Sequence, residues 1–431
     1  MQQPWLAKLA AAVLALMLAA PAHVHRAIAL ATGDAQEVGL SDVRLARIET
    51  ALKKEVELGK LPGAVVMLSR RGKVVYSGAF GFQDPVKKTP MRTDAIFRIY
   101  SMTKPLVSVA AMMLVEDGVV QLTDPVSKFL PAFKELKVST GTAEVPAERQ
   151  MTVQDLLRHS AGLAYGELTK NSTVKDMLAT AGLVKPGVRD YDTRDLTPAE
   201  QVERLSRIPL IHQPGTTWEY SLASDVLGRV VEAASGQRLG DFLAERLFKP
   251  LQMVDTAFWV PQEKLERLAQ PFETDPASGN KYPLVDVSAP PKNDSGGAGA
   301  VSTAMDYLRF GQMLLNGGVL DGQRIMSRST IKLMTSDHLG TRITAPLSPG
   351  ELLLGTPGYT FGLGFAVRQT DGIAGVHGSA GEFMWAGYAG TYFWVDPKEE
   401  IVGVYMSQAP SPIRAYYRKL IKQLVYQAIT D

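Results

Sequence analysis

The segment P-L-V-S-V-A-A-M-M-L-V-E-D-G (residues 105–118) is apolar on nearly every side of the helix that its length and period predict. A helix of that kind cannot rest on a surface, so the remaining chain has to wrap it, and Gly118 is placed to end it. Its Met-rich stretch, Ala110 to Leu114, is core by period rather than a cofactor-binding run.

The wrapping elements are of both kinds. S-D-V-R-L-A-R-I-E-T-A-L-K-K predicts an amphipathic helix over 41–58 with Ser41 as its N-cap. The stretch 64–81 holds two β-branched apolar runs joined by Arg71-Gly72, a hairpin signal. More helices are expected from T-V-Q-D-L-L-R-H (152–159), from the capping box Thr197-Pro198-Ala199-Glu200, over Asp225 to Ala234, and from Thr303 to the stop at Gly317-Gly318. Strand-like runs return at 361–367, 388–395 and 401–407, and a last helical period follows in I-R-A-Y-Y-R-K-L-I-K-Q-L-V-Y-Q-A-I. Residues 165–196 and 262–295 are polar, weakly periodic and read as long loops of the sort that border sites. The expected fold class is α+β. One antiparallel sheet joins the first hairpin to the late strands, the N- and C-terminal helices flank it, and a mostly helical region is inserted between, all within one domain over residues 40–428.

Composition removes several function classes. The net charge is +2, from 46 basic and 44 acidic residues with no long basic block, which argues against a nucleic-acid partner. Cysteine is absent, so disulfides, thiolate zinc sites and cysteine nucleophiles are excluded together. Of the six histidines, His23 and His25 lie in the N-terminal leader, and the other four, His159, His212, His338 and His377, are scattered with no H-x-H or H-E-x-x-H spacing; no metal and no organic cofactor is implied. At the start of the chain, Lys8 precedes the apolar run Leu9 to Ala20, and Ala20-Pro21-Ala22 offers a small-x-small cleavage site. Residues 1–31 are therefore expected to be a signal peptide and short leader, with Ala27-Ile28-Ala29 and Ala29-Leu30-Ala31 as rival cleavage sites and an uncleaved anchor as the alternative. Cleavage would leave a periplasmic or secreted chain without stable membrane insertion. Nothing in the sequence signals an oligomeric state.

Within Y-S-M-T-K-P (100–105), Ser101 and Lys104 stand three apart, a spacing that shares one helix face. A serine hydroxyl is a weak nucleophile until a base takes its proton, and a buried lysine can serve in its neutral form. The helix N-terminus would add N–H groups suited to an oxyanion. Taken alone, S-x-x-K is common by chance, and an N-cap serine with an exposed lysine explains it better.

Two further stretches narrow the choice. P-G-T-T-W-E-Y-S-L-A-S-D-V-L-G (214–228) sets Tyr220 just before a helix, and Trp385-Ala386-Gly387 precedes a late strand. With F-R-I-Y-S-M-T-K-P, L-L-R-H-S-A-G-L (156–163) and G-T-Y-F-W-V-D-P (390–397), their order resembles the serine β-lactamase-related superfamily. That superfamily includes the class C β-lactamases and penicillin-binding proteins, and the likeness is greater to the family VIII carboxylesterases. It runs from about residue 40 to about 425.

The resemblance implies Ser101 as acylated nucleophile and Lys104 as the group sharing its proton. Tyr220, matching the tyrosine of a Y-x-N element, becomes general base, its phenolate favoured by the ammonium. The N–H groups of Ser101 and Tyr388 would form the oxyanion hole. Leu222 stands where β-lactamases carry asparagine, and Trp385-Ala386-Gly387 replaces K-T-G. The second change removes a cation for a β-lactam carboxylate and puts an aromatic wall in its place. From the residues alone, Tyr220 reads equally as a buried tyrosine and Trp385 as core packing. His377, close in sequence to Trp385, is a further candidate for the pocket lining.

The resulting expectation is a serine hydrolase cleaving a small-molecule ester or amide, foremost a carboxylic ester. A β-lactamase or D-alanyl-D-alanine carboxypeptidase is the rival within the class, and a catalytically silent peptidoglycan-binding protein the rival outside it. An α/β-hydrolase triad is disfavoured, because Arg158 stands where G-x-S-x-G around Ser160 needs its first glycine.

Overall fold

The computed structural model describes residues 30–184 and 193–431. The signal peptide expected at the start falls, up to residue 29, outside the described residues, as does the 185–192 part of the first long loop. Ser41 accepts from the Arg44 N–H at 3.3 Å and opens α1 (Asp42–Glu57), whose stripe of Leu45, Ile48 and Leu52 is buried. Strands β1 (Gly63–Arg70) and β2 (Lys73–Asp84) follow. They turn at Arg71 and Gly72, both left-handed with φ of 51° and 75°, the conformation that a two-residue hairpin with native twist requires. A short edge strand, β3 (Thr89–Pro90), completes this end of the sheet.

The all-apolar segment forms α2 (Thr103–Glu116), and every residue from Thr103 to Leu114 is buried. Around it stand α3 (Val153–Leu157), α4 (Ser172–Thr180), α5 (Pro198–Ser206), α6 (Ala223–Ser235) and α7 (Ala304–Leu315). The capping boxes on Thr152 and Thr197 and the Thr303 cap are all formed. The late strands are β4 (Tyr359–Phe361), β5 (Ala366–Arg368), β6 (Phe383–Ala386), β7 (Tyr392–Asp396) and β8 (Ile401–Ser407), and α8 (Arg414–Tyr426) closes the fold.

These strands make one eight-stranded antiparallel sheet in the order β4-β5-β6-β7-β8-β1-β2-β3. The last strand pairs with the first, from Ala64 opposite Ser407 to Arg70 opposite Ile401, so the two ends of the chain build one sheet as expected. Both faces are covered. Val402 lies against Gly311 of α7, where a Cβ would stand 2.5 Å from Val402 Cγ1, while Tyr405 on the other face meets Tyr417 of α8 at 6.4 Å. Two-sided burial is why residues 401–407 form an unbroken apolar run rather than an alternating one.

The structure departs from expectation at three places. Residues 361–367 are not one strand: β4 and β5 are joined by a turn in which the Gly362 N–H donates to Phe365 O at 2.8 Å. Gly364 there has φ 95°, and a Cβ would stand 2.3 Å from Ser108 Oγ of α2, so packing against the buried helix forces the bend. Residues 388–391 are a turn as well, closed by the Gly387 N–H on Thr391 O at 2.8 Å, and the strand starts at Tyr392. The first expected loop contains α4, capped by Asn171 on the Val174 N–H at 3.1 Å.

Candidate active site

Phe97–Arg98 pairs with Val301–Ser302 as a two-residue ladder, and the Thr103 hydroxyl accepts from the Ala300 N–H at 3.0 Å. These contacts fix a single 3-10 turn, Tyr100–Met102, that leads into α2 and carries Ser101. Tyr100 is held at φ 43°, an unfavourable left-handed position for a bulky residue. It is kept there by an edge-on contact with Tyr388 at 5.5 Å and by its hydroxyl, which accepts from the Val285 N–H at 2.9 Å. Ser101 is therefore no helix cap; its hydroxyl faces other side chains.

Those side chains are the ones singled out in the sequence. Tyr220 donates to Ser101 Oγ at 2.5 Å, and Lys104 Nζ lies 3.4 Å from the same oxygen. Lys104 is 1% exposed and also donates to Gly297 O at 2.8 Å and to the Tyr165 hydroxyl at 3.0 Å. Its Nζ stands 4.7 Å from the centre of the Tyr220 ring. Burial pulls the Lys104 ammonium down to about 7, against the attraction of Asp225. Burial likewise pushes the Tyr220 phenol up, only partly offset by its bond to Ser101. The expected resting phenolate is thus disfavoured, because burial penalises the charged form of the phenol first of all.

Trp385 and Leu222 need correction. Trp385 is 0% exposed and Leu222 1%, and neither borders the cavity beside Ser101. The indole lies beneath the site, 5.6 Å from the Tyr220 ring and 5.3 Å from Phe361, so it supports the tyrosine instead of forming a wall. Leu222 faces the core at the start of α6. Ala386, Gly387 and Tyr388 do line the cavity, which has a volume of about 130 Å³. Gly387 cannot be larger, since a Cβ would come 2.3 Å from Ile99 O. His377 belongs elsewhere, stacked on Tyr426 at 6.1 Å in a separate cavity. His159 packs behind Tyr220 at 5.2 Å with Nδ1 3.3 Å from Ser221 Oγ, and burial lowers its pKa well below the usual histidine value. No triad is formed through it.

Several site groups escaped the sequence reading. Tyr165, from the first long loop, bonds Lys104. Asp225 of α6 accepts from Ser295 Oγ at 2.6 Å and from the Gly297 N–H at 3.2 Å, fixing the carbonyl that Lys104 meets. A Cβ at Gly297 would stand 2.2 Å from Asp225 Oδ2, so the glycine cluster D-S-G-G-A-G-A (294–300) was the available signal. Arg414 and Arg418, one turn apart on α8, also line the cavity. The site is therefore not without cations, although position 385 supplies none.

A second, more apolar cavity of about 550 Å³ shares Leu168, Tyr220 and Leu352 with the first and continues along Ile211, Trp218 and Leu347. Among the described residues, no helix is long and apolar enough to cross a membrane.

Comparison with known proteins finds esterases and a hydrolase among those similar to this chain. Esterase EstB from Burkholderia gladioli is 33% identical over 371 residues, covering 81% of this chain and 87% of the esterase. The lovastatin esterase of Penicillium rubens is 28% identical, covering 85% and 93%. The solved structure described as EstCE1, a hydrolase with promiscuous acyltransferase activity, is 27% identical; the match covers 89% of this chain and 99% of that one with a TM-score of 0.75. The sequence model of the Beta-lactamase family matches residues 48–426. The chain accordingly belongs to the Beta-lactamase family, as one of its serine hydrolases.

Proposed function

We propose that the protein hydrolyses carboxylic esters through an acyl-enzyme on Ser101. The observation that carries this reading is the convergence of the Tyr220 phenol and the Lys104 amine on Ser101 Oγ, at 2.5 and 3.4 Å, beside a cavity. The esterases and the hydrolase among its relatives support it. With its pKa near 7, a substantial share of Lys104 is neutral at physiological pH and accepts the serine proton as Oγ bonds to the ester carbonyl carbon. Tyr220 gives its proton to the departing alkoxide as the carbon–oxygen bond breaks, and the Lys104 ammonium restores it. The N–H groups of Ser101 and Tyr388 receive the oxyanion in this scheme. Water then repeats the sequence in reverse, releasing the acid and returning the proton to Ser101. An alcohol in place of water would give acyl transfer.

The first cavity holds little more than the reacting carbonyl and a small group, so a larger substituent would extend into the apolar cavity behind Tyr220. That favours neutral esters with one bulky apolar side. A lactamase or peptidase is the second reading, and the observation in its favour is Arg414, whose guanidinium borders the cavity and could meet a substrate carboxylate. The leader motif within residues 8–22 supports export to the periplasm or beyond.

The test is intact-mass detection of an acyl or fluorophosphonate adduct mapped to the peptide containing Ser101. Kinetics on p-nitrophenyl esters and penicillins are measured alongside. Ser101→Ala is expected to fold and lose both adduct and turnover, and Tyr220→Phe to lose at least about a hundredfold in rate. Wild-type activity in a folded Ser101→Ala protein would sink the proposal. Equal or greater wild-type efficiency on penicillins would favour the second reading.

A further inference from the structure

Arg418 is 2% exposed, yet among the described residues it forms no ion pair with a carboxylate. Its Nη1 donates to Leu353 O at 2.9 Å, its Nη2 to Gly387 O at 2.6 Å, and its Nε has no hydrogen-bond partner. A second guanidinium, Arg414, stands one turn away on the same helix. Burying a cation without a counter-ion is costly, and an apolar side chain of similar volume would do the packing alone at lower cost. Packing alone therefore gives no reason for a cation at position 418.

Its contact with Gly387 gives one. Gly387 O and the Tyr388 N–H belong to the same peptide unit, which is trans, so the two groups point in opposite directions. Gly387 O also accepts from the Gly390 N–H at 3.2 Å, and the guanidinium on the same carbonyl adds a shorter, charged bond that helps hold the rotation of that peptide and so the aim of the N–H. The bond is charge-assisted and its cation is nearly buried, which also polarises the amide and strengthens its N–H as a donor. The same peptide borders the cavity with Ser101, and its glycine is pressed so close to Ile99 O that no side chain fits.

We propose that Arg418 is a positioning residue of the oxyanion hole, holding and polarising the Gly387–Tyr388 peptide so that the Tyr388 N–H meets the negative oxygen of the acyl-transfer transition state. This rests on the acyl-enzyme reading above. Because the charge on that oxygen exists mainly in the transition state, losing Arg418 should slow acylation and leave the dissociation constant of a neutral ester nearly unchanged. The burial that retains this cation also lowers its pKa from the usual arginine value.

The experiment compares Arg418→Lys, Arg418→Gln and Arg418→Met with the wild type on p-nitrophenyl acetate. Three readouts are taken: the pre-steady-state acylation rate, the inhibition constant of a boronic acid, and the carbonyl stretch of a ¹³C-labelled acyl-enzyme. Arg418→Lys retains a cation and a donor and secures a folded variant. Arg418→Gln, if it keeps the carbonyl bond, separates aim from polarisation.

Arg418→Met is expected to lose about a hundredfold in acylation rate, the usual scale for one oxyanion donor, with a parallel loss of boronic acid affinity. Arg418→Lys should recover part of both. The acyl carbonyl stretch should move to higher wavenumber as its hydrogen bond weakens, a signature that a merely structural role would not shift. Wild-type acylation rates in folded Arg418→Gln and Arg418→Met overturn the inference. So does a loss confined to the dissociation constant of carboxylate-bearing esters, which would assign Arg418 to substrate binding. Absence of any Ser101 adduct in the wild type is a different failure, because it removes the acyl-enzyme reading itself.

Discussion

Replacing Lys104 by methionine tests the electrostatics of the site through stability and kinetics at once. The unbranched side chain occupies similar space, so the main changes are the lost charge and the lost donor to Gly297 O and Tyr165. Lys104 titrates at about 7 in the folded protein against 10.5 for a free lysine. Between those values the unfolded chain holds a proton that the native chain has released, so this group makes the wild type more stable as pH rises through the window and less stable as pH falls toward 7. Integrated from pH 7 to pH 9, the linkage amounts to about 2 kcal/mol. The lost hydrogen bonds contribute a constant offset that does not depend on pH and cancels from the comparison. Urea unfolding of both proteins at pH 6, 7, 8 and 9 should therefore show the wild type gaining about 2 kcal/mol on Lys104→Met between pH 7 and pH 9. The same pKa should appear independently as the acid limb of kcat/KM for a neutral ester, rising with pH through a midpoint near 7. Parallel stability curves, or an acid limb displaced to pH 9 or above, would refute the reasoning, because either would mean that the amine stays charged at neutral pH.

Two other outcomes follow from the same geometry. Asp225 attracts the Lys104 charge and so holds its pKa up; Asp225→Asn keeps an oxygen for Ser295 and Gly297 and should move the acid limb of kcat/KM to lower pH, as a pH–rate profile would show. Trp385→Lys, which the sequence suggests as a route to lactam binding, should instead destabilise the fold by about 3 kcal/mol or more, since it empties a fully buried indole site and buries an amine there. Thermal unfolding of the purified variant reads this, and a wild-type Tm would show that the indole is not part of the core.

The sequence by itself determined whatever depends on local period, turn chemistry and the spacing of reactive groups. Ser41, Thr152, Thr197 and Thr303 cap helices because a hydroxyl beside unsatisfied N–H groups needs no tertiary context. Arg71-Gly72 turns the first hairpin, and the all-apolar 105–118 segment had to be enclosed. Ser101 and Lys104 meet because three residues is one turn of helix, and Tyr220 joins them only across 119 positions of chain, a pairing legible through family resemblance and not through spacing. Tertiary structure alone decided the rest. Whether an aromatic at position 385 is wall or floor depends on which face of β6 the sheet turns inward, and burial on both sides leaves no alternation in the sequence to read. The bend at 362–365 exists because α2 lies too close for a straight strand. Burial also lowers the pKa of the Lys104 amine and raises that of the Tyr220 phenol, against the resting phenolate that was expected, since the cost of a charge is set by the solvent that the whole fold excludes.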